Sequence, residues 1–272
     1  MKILELEQGT QEWHDQRRCS ITGTKLKAVM GTEDAQRTLI AELIAEEGTE
    51  LTKEHRTSME MERGNGEEEF AVKRFESQTA KVVDRVGMCQ HEIHDWIKLS
   101  PDGLIKNKKG KYTEALEIKC PDSKKLILYK IENMVPLIET GLMADYTVAE
   151  TKKILDDNKI EYDKKAKKDE LQSHLPAGYD GTPKSGAPFC GSIPQEYKWQ
   201  VVHYFIVVKE LEKLHFATYD ERFIAEDIKL YITEVERTHP EMEQAIKEAE
   251  EQLQEFRAKW MRWRDIVLPN NF

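Results

Sequence analysis

Two short stretches decide the fold of this chain: Ser100-Pro101-Asp102-Gly103 and Leu116-Glu117-Ile118-Lys119-Cys120-Pro121. Between them lies the turn Asn107-Lys108-Lys109-Gly110-Lys111, which is rich in lysine and glycine. The apolar segments on either side of this turn predict a β-hairpin whose strands cover 99–105 and 112–120.

Three charged residues of this hairpin are predicted to converge. Residues two apart in a strand share a face, so Glu117 and Lys119 point together and the paired strand brings Asp102 alongside. Two carboxylates and a main-chain carbonyl suit a hard cation such as Mg²⁺, and an ammonium group offsets charge on a phosphoryl group. The set predicts metal-assisted phosphodiester hydrolysis. The alternative is a solvated hairpin with ordinary surface charges, but such charges on an apolar strand are costly unless they pair or bind a metal.

The composition limits the classes of protein. Of the 272 residues, 34% are charged and 39% are hydrophobic, which is enough apolar content to build a core. The 41 Lys and Arg against 51 Asp and Glu give a net charge of −10, which argues against wrapping nucleic acid by bulk charge. A local basic channel stays compatible with this balance. No membrane span or signal peptide is recognised, so we expect a soluble, cytoplasmic protein without a membrane partner.

Several residues that could suggest other chemistry have simpler interpretations. The four cysteines lie far apart and form no CxxC pair, which indicates neither a zinc knuckle nor a disulfide scaffold. His91 and His94 are interpreted as surface histidines, and Cys120 as part of the core.

Periodicity outlines the remaining elements. Helical spacing of apolar residues and helix-ending signals predict helices over 23–29, 38–46, 66–78, 124–133, 196–211 and from 238 past Trp263. Strand patterns are predicted over 81–94, with a turn near Gly87, and over 214–219 and 228–232.

Residues 136–189 are predicted to be an insertion, because proline and glycine punctuate them heavily. Two helical stripes, over 147–157 and 165–175, resemble a SAP-like or helix-extension-helix module, a kind that commonly binds duplex DNA. The lysines that would contact DNA cluster at the start of the second helix: Lys164, Lys165, Lys167 and Lys168. Acidic residues balance them, so a helical hairpin that props the fold or contacts another subunit is the alternative.

The order of several motifs resembles a known family. They are Trp13-His14…Arg17…Ile21-Thr22, Gly64…Glu68, the two stretches quoted first, and Tyr197…Gln200. Together they resemble the phage lambda exonucleases, or YqaJ-like viral recombinases, of the PD-(D/E)xK nuclease superfamily. The resemblance covers residues 8–134 and 194 to the end. It implies an α/β restriction-endonuclease-like core with a mixed central β-sheet flanked by helices, formed by 1–135 and 190–272, plus the small helical insertion.

The resemblance also implies roles for individual catalytic residues. Asp102 and Glu117 would be metal ligands assisted by the Ile118 carbonyl, and Lys119 would be the catalytic lysine. Glu68 matches a glutamate that the family carries on a helix beside the metals, although the run Glu67-Glu68-Glu69 leaves its register ambiguous by one residue. The family's motif glutamine corresponds to Gln200.

Other residues would contact the DNA end. Arg17 fits the arginine that grips the 5′-phosphate, since its planar fork matches phosphate oxygens. Ser100 and Thr24 would add hydroxyl contacts, and Tyr197 would lie beside Gln200. Thr24 stands where the family usually has serine, so a plain helix cap is its alternative.

The implied activity is a Mg²⁺-dependent 5′→3′ exonuclease, with Mn²⁺ as substitute and two ions, that acts on double-stranded DNA ends. It would leave a 3′ single strand for an annealing protein, work as a homotrimeric ring and be phage- or prophage-encoded. Two alternatives stay open. One is an endonuclease of the same superfamily, restriction-like or Cas4-like, although Cas4-like chains group their cysteines. The other is a non-catalytic DNA-binding protein.

Overall fold

A mixed four-stranded sheet contains the strand that carries Glu117 and Lys119 and the strand that follows Asp102. The computed structural model describes residues 1–49, 59–134 and 188–268, with the single positions 152, 155, 163 and 167. The sheet has the order β4 (Gly103–Lys106), β5 (Tyr112–Lys119), β6 (Lys213–Tyr219) and β7 (Leu230–Glu236). Its β5–β6 pair is parallel and the two outer pairs are antiparallel.

A second sheet gathers short strands from the N-terminal half in the order β1 (Lys2–Leu4), β2 (Met88–Gln90) and β3 (Lys98–Leu99), all antiparallel. The helices of the described residues are α1 (Gln11–Arg17), α2 (Gly23–Val29), α3 (Glu33–Gly48), α4 (Met59–Thr79), α5 (Ser123–Met134), α6 (Lys198–Val207), α7 (Glu226–Lys229) and α8 (Pro240–Val267). A 3₁₀ turn, Gln195–Tyr197, precedes α6.

The two faces of β5 pack against different helices. Ala115 belongs to the apolar cluster that contains the buried residues of α6, whereas Leu116 and Ile118 belong to the cluster that contains those of α4. Because side chains alternate along a strand, Glu117 and Lys119 share the face of Ala115. The charged side chains of β5 are therefore directed to the α6 side of the sheet.

The predicted strand over 81–94 is wrong in its extent. Only Met88–Gln90 forms a strand, and it pairs in the second sheet. Asp84 instead bridges to Leu104 at the edge of β4. The backbone at Gly87 lies close to another segment, since an added Cβ there would lie 1.8 Å from the carbonyl oxygen of Leu6. A side chain has no room at this position, which explains the glycine there.

The predicted hairpin begins later than its apolar pattern suggests. Leu99 pairs with Cys89 in the second sheet, and the strand that pairs with β5 begins at Gly103. Pro101 lies between the two and has no N–H to donate to a ladder, which separates them.

Most of the predicted helices are confirmed, with changed ends. The prediction over 38–46 becomes α3, which begins after the N-cap Thr32, and that over 66–78 extends back to Met59. The long C-terminal helix begins after His239, with Pro240 in its first turn. Trp260 is buried in the core, as expected of packing, but Trp263 is 51% exposed.

His91 is not the surface histidine that the sequence predicts. It is 3% exposed, its ring stacks on that of His94 at 5.1 Å, and its Nδ1 accepts the N–H groups of Ile93 and His94. Burial, followed by the charge on His94, lowers the pKa of His91 to about 4. The turn after β2 folds this ring inward, which a strand pattern cannot indicate.

The predicted insertion lies almost wholly outside the described residues, so its boundaries at 136–189 and its resemblance to a SAP-like module stay predictions. Lys164, Lys165 and Lys168 lie there too, and Lys167 is a described, exposed position. Among the helices that the structure describes, none combines the length and the apolar character needed to cross a bilayer.

Candidate active site

Asp102, Glu117 and Lys119 meet at one end of the sheet, where β4 begins and β5 ends. The register pairs Gly103 with Leu116, which puts Asp102 beside the end of β5. There Asp102 Oδ2 accepts the N–H of Ile118 at 2.7 Å. The Lys119 Nζ lies 2.5 Å from Glu117 Oε1. The structure therefore brings together the three charged residues that the hairpin predicts.

Glu117 is only 1% exposed, and each of its two carboxylate oxygens accepts a hydrogen bond. On α6, Gln200 Nε2 donates to its Oε1 at 2.5 Å, and the hydroxyl of Tyr204 donates to its Oε2 at 2.5 Å. Gln200 and Tyr204 are four residues apart, so they lie one turn apart on the same helix face. Together with Lys119, they give this buried carboxylate the partners that its charge requires.

Tyr204 is the residue of this site that the sequence argument misses. It is fully buried, and besides bonding Glu117 its hydroxyl accepts the N–H of Asp102 at 3.2 Å. Burial, and then the negative charges of Glu117 and Asp102, raise the pKa of Tyr204 well above its usual value. The sequence offered one indication of this role, because Tyr204 lies four residues after Gln200 on the predicted helix. The apolar residues around Tyr204 on α6 make it resemble an ordinary core residue.

The electrostatics of the site leave an excess of negative charge. Burial raises the pKa of Asp102 well above its usual value, and the nearby charge of Glu117 adds to this. Burial alone would lower the pKa of Lys119, but the carboxylates of Glu117 and Asp102 outweigh it and raise that pKa. Lys119 is therefore a firmly charged ammonium group that faces two carboxylates.

The donor set fits a hard divalent cation. Within the described part of the chain, Asp102 Oδ1 has no hydrogen-bond partner, so an oxygen of this carboxylate is free to coordinate. The carboxylates of Asp102 and Glu117 are the ligand type that Mg²⁺ and Mn²⁺ prefer, and Ile118 follows Glu117 directly in β5. One ammonium group does not neutralise two carboxylates, and a cation would balance the remainder.

Within the acidic run of α4, Glu68 is directed to the site. Its carboxylate forms an ion pair with Arg85, and its charge raises the pKa of Asp102. Glu67 and Glu69 instead pair with basic residues four positions away on their own helix. The assignment of the family's glutamate to Glu68 stays a prediction.

Arg17 is connected to the site by a hydrogen bond to Ser100. Its Nη1 donates to Ser100 Oγ at 2.7 Å, and its guanidinium lies over the ring of Trp13, 4.3 Å from the centroid. Burial lowers the pKa of Arg17, with the charge of Glu46 opposing this. Since Ser100 is two residues before Asp102, the guanidinium is attached to the segment that leads into the site.

Tyr197 lies beside Lys119, and Thr24 is connected to the site through its neighbour Gly23. Thr24 is exposed on α2, and Thr22 rather than Thr24 occupies the N-cap position, so the helix-cap alternative for Thr24 is wrong. The adjacent Gly23 packs on Gln200: an added Cβ there would lie 3.2 Å from Gln200 Cγ. The ring of Tyr197 lies 5.3 Å from Lys119 Nζ.

Cys120 follows Lys119 but lacks the character of a nucleophile. Burial, and then the charge of Glu67, raises the pKa of its thiol to about 12. The thiol is therefore protonated at neutral pH, in agreement with a packing role.

Comparison with known proteins identifies the domain and the fold. Residues 12–137 match the YqaJ-like viral recombinase domain, and no curated protein sequence matches the chain. The fold resembles an alkaline exonuclease, LHK-Exo, from Laribacter hongkongensis, at 22% identity and a TM-score of 0.63 over 95% of this chain and 96% of that one. LHK-Exo in complex with dAMP gives 21% identity and 0.59 over 95% and 98%. A phage related exonuclease from Haemophilus somnus 129PT gives 10% and 0.46 over 89% and 95%.

These matches confirm two expectations drawn from the motifs. The α/β core with a mixed central sheet flanked by helices is the fold of the alkaline exonuclease. The resemblance of the motifs is confirmed as well, because the matched residues include both stretches that open the sequence argument. Residues 12–137 of this chain are similar to the YqaJ-like viral recombinase domain.

Proposed function

We propose that this protein is a metal-dependent exonuclease that degrades one strand of linear double-stranded DNA in the 5′→3′ direction. The observation that carries the proposal is the convergence of Asp102, Glu117 and Lys119 at 2.5–2.7 Å hydrogen-bond and ion-pair distances in and around β5. The YqaJ-like domain and the fold of an alkaline exonuclease support a nuclease of phage type. The product would be a 3′ single strand, suited to homologous recombination by annealing.

The metal would be held by Asp102 and Glu117, with the Ile118 carbonyl as a further oxygen ligand. We expect Mg²⁺, with Mn²⁺ as a substitute and two ions in the working site. A bound ion would polarise the scissile phosphate and lower the pKa of a coordinated water. The chain's own task is to keep the ligands in place: Gln200 and Tyr204 fix the two oxygens of Glu117.

Lys119 serves as a permanent positive charge. The two carboxylates raise the pKa of Lys119, and we assign its ammonium form rather than a general base to the reaction. Its ammonium group instead stabilises the negative charge that develops on the phosphoryl oxygens and orients the attacking water. The ring of Tyr197 covers one side of this ammonium.

Arg17 is proposed to bind the terminal 5′-phosphate. Its stacking on Trp13 and its bond to Ser100 hold the guanidinium in one orientation before DNA arrives. A fixed planar fork suits the bidentate recognition of phosphate oxygens. Ser100 and the exposed Thr24 would add hydroxyl contacts, and Glu68, fixed by Arg85, would assist beside the metals.

The partners follow from the same proposal. The substrate is a double-stranded DNA end, and a homotrimeric ring would let basic residues line a channel while the acids of a chain with charge −10 face solvent. The lysine cluster at 164–168 is a further candidate for DNA contact. The single strand produced would pass to a phage-type annealing protein in the cytoplasm of the bacterial host.

The experiment that tests the proposal compares DNA ends. The full chain is incubated with Mg²⁺ and linear duplex that carries 5′-phosphate or 5′-hydroxyl ends, with closed circular DNA in parallel. We expect release of mononucleotides from the phosphorylated linear ends, and its loss in Lys119→Ala.

Two outcomes would replace the proposal. Cutting of the closed circle would establish an endonuclease. Binding of DNA without metal-dependent cleavage of either substrate would establish a DNA-binding protein.

A further inference from the structure

A second group of metal-ligating side chains is built from residues that the first site does not use. Cys190 lies in a turn that follows Phe189, and His239 and Glu241 stand at the beginning of α8. One ligand atom of each residue (a thiol sulfur, a ring nitrogen and a carboxylate oxygen) lies within 4.8 Å of the other two. We propose that Cys190, His239 and Glu241 form a binding site for a borderline transition-metal ion such as Zn²⁺. This proposal does not rest on the nuclease activity.

The turn that carries Cys190 has a backbone that disfavours cysteine. Cys190 and Gly191 have φ angles of 53° and 71°. The N–H of Ser192 bonds to the carbonyl of Phe189 at 3.2 Å across them. Two consecutive left-handed residues favour asparagine and glycine, so a cysteine at the first of them is conformationally costly. An outlier of this kind points to a function for its side chain.

Two contacts hold the three side chains together. Glu241 Oε2 accepts the N–H of Cys190 at 2.6 Å, which ties the turn to the first turn of α8. His239 caps the same helix: its Nδ1 accepts the N–H of Glu241 at 3.3 Å, a long bond that a metal can replace. Cys190 is buried, His239 half-buried and Glu241 exposed, so the group is formed at the surface and an ion can enter from solvent.

The chemistry of the donors selects the ion. A thiolate and an imidazole are ligands for Zn²⁺ or Co²⁺ rather than for Mg²⁺, which prefers oxygen. Bond lengths of about 2.3 Å to sulfur and 2.0–2.1 Å to nitrogen separate these two ligands by about 3.6 Å in a tetrahedral site. Since the three atoms lie within 4.8 Å of one another, they need to approach by at most about 1.2 Å, and the fourth position is left to water. Binding exchanges the thiol proton for a metal–sulfur bond and releases that proton to solvent.

The position of the site suggests what it does. The turn of Cys190 leads through Pro194 and the 3₁₀ turn Gln195–Tyr197 into α6, the helix that holds Glu117. An ion bound by Cys190, His239 and Glu241 would fasten the entry of α6 to the start of α8. It would brace the fold and take no part in the hydrolysis of DNA.

Cobalt binding to the full chain tests the site. The protein is kept reduced with a phosphine, saturated with Mg²⁺ to occupy oxygen sites, and titrated with Co²⁺. We expect sulfur-to-cobalt charge-transfer absorption in the near ultraviolet that saturates at one ion per chain and is abolished by Zn²⁺. Zn²⁺ should also raise the midpoint of thermal unfolding.

Matched variants separate the site from other thiols. Cys190→Asn suits the left-handed turn while it removes the sulfur, and His239→Asn keeps a good helix N-cap. Cys190→Asn should lose the absorption, and both should bind Co²⁺ more than about 100-fold more weakly, since losing a ligand costs more than losing an outer-shell partner. Cys19→Asn, at another left-handed cysteine (φ 50°), should keep the absorption and the Co²⁺ affinity of the unsubstituted chain. No sulfur–cobalt absorption in the unsubstituted chain, or absorption that survives Cys190→Asn, would overturn the proposal.

Discussion

Removing the hydroxyl of Tyr204 is the sharpest test of how Glu117 is held. In Tyr204→Phe the ring still fills its fully buried place, but Glu117 Oε2 loses a 2.5 Å bond and the Asp102 N–H loses its acceptor at 3.2 Å. A hydrogen bond to a charged group contributes about 1.5–3 kcal/mol, and an orphaned buried donor costs about 1–3 kcal/mol. These terms are not additive, so we expect the free energy of unfolding to fall by about 2–4 kcal/mol.

The same substitution should weaken metal use. Outer-shell partners of metal ligands typically change metal affinity by about 10- to 100-fold, so the Mg²⁺ concentration at half-maximal nuclease activity should rise by that factor. Urea unfolding measures the stability and a Mg²⁺ titration of mononucleotide release measures the second effect. The two readouts are independent because unfolding needs no substrate.

Tyr219→Phe is the matched control. Its hydroxyl also bonds a carboxylate, that of Glu221, but this glutamate is 52% exposed and lies outside the site. We expect a loss of at most about 1 kcal/mol and an unchanged Mg²⁺ requirement. Equal effects of the two substitutions, or a Tyr204→Phe protein with unaltered stability and Mg²⁺ requirement, would refute the assigned role of Tyr204.

Three further predictions address other parts of the molecule. Arg17→Lys keeps the charge but loses the planar fork, so the preference for 5′-phosphorylated over 5′-hydroxyl ends should fall about 10-fold or more in initial rates, while equal ratios for both proteins would contradict the phosphate grip. His91, with a pKa lowered from 6.5 to about 4, is neutral in the fold and binds its proton more readily when unfolded, so stability should fall as the pH drops through this window. Between pH 7 and pH 5 its share of the loss is about 2 kcal/mol, and His91→Asn, measured by urea unfolding at both pH values, should remove that share; an unchanged pH dependence would show that His91 is not responsible. Gly87→Ala would bring a methyl group to 1.8 Å from the Leu6 carbonyl oxygen, so it should lower the free energy of unfolding by more than about 2 kcal/mol, and a thermal midpoint equal to that of the unsubstituted chain would contradict this packing.

The parts of the site that the sequence could predict are those that local rules govern. Strand alternation suffices to put Glu117 and Lys119 on one face, and the lysine-rich turn suffices to bring Asp102 alongside. The apolar pattern of α6 likewise predicts a buried helix, which the structure confirms. Each of these inferences uses neighbours within about twenty residues along the chain.

The parts that escaped prediction depend on contacts between distant segments. From the sequence, Tyr204 resembles the other apolar residues of α6. Its role becomes visible only in the fold, where Glu117 of β5 lies at its hydroxyl. The sequence pattern predicts His91 in a strand, whereas in the structure the turn after β2 buries its ring. The group of Cys190, His239 and Glu241 shows the same limit, because Cys190 lies 51 residues before Glu241 and no spacing motif connects them.

The parallel pairing of β5 and β6 has a consequence for how the site forms. The bonds from Gln200 and Tyr204 to Glu117 span 83 and 87 residues of chain, so Glu117 gains these partners only when segments far apart along the chain meet. Native contacts of such separation are slow to form, and the catalytic geometry should therefore be a late product of folding. Loop-closure entropy grows only with the logarithm of length, at about 0.6 kcal/mol for each doubling. The connection between β5 and β6 can thus lengthen or shorten during evolution at small thermodynamic cost, so a protein of this fold can gain or lose residues there while the arrangement around Glu117 stays the same.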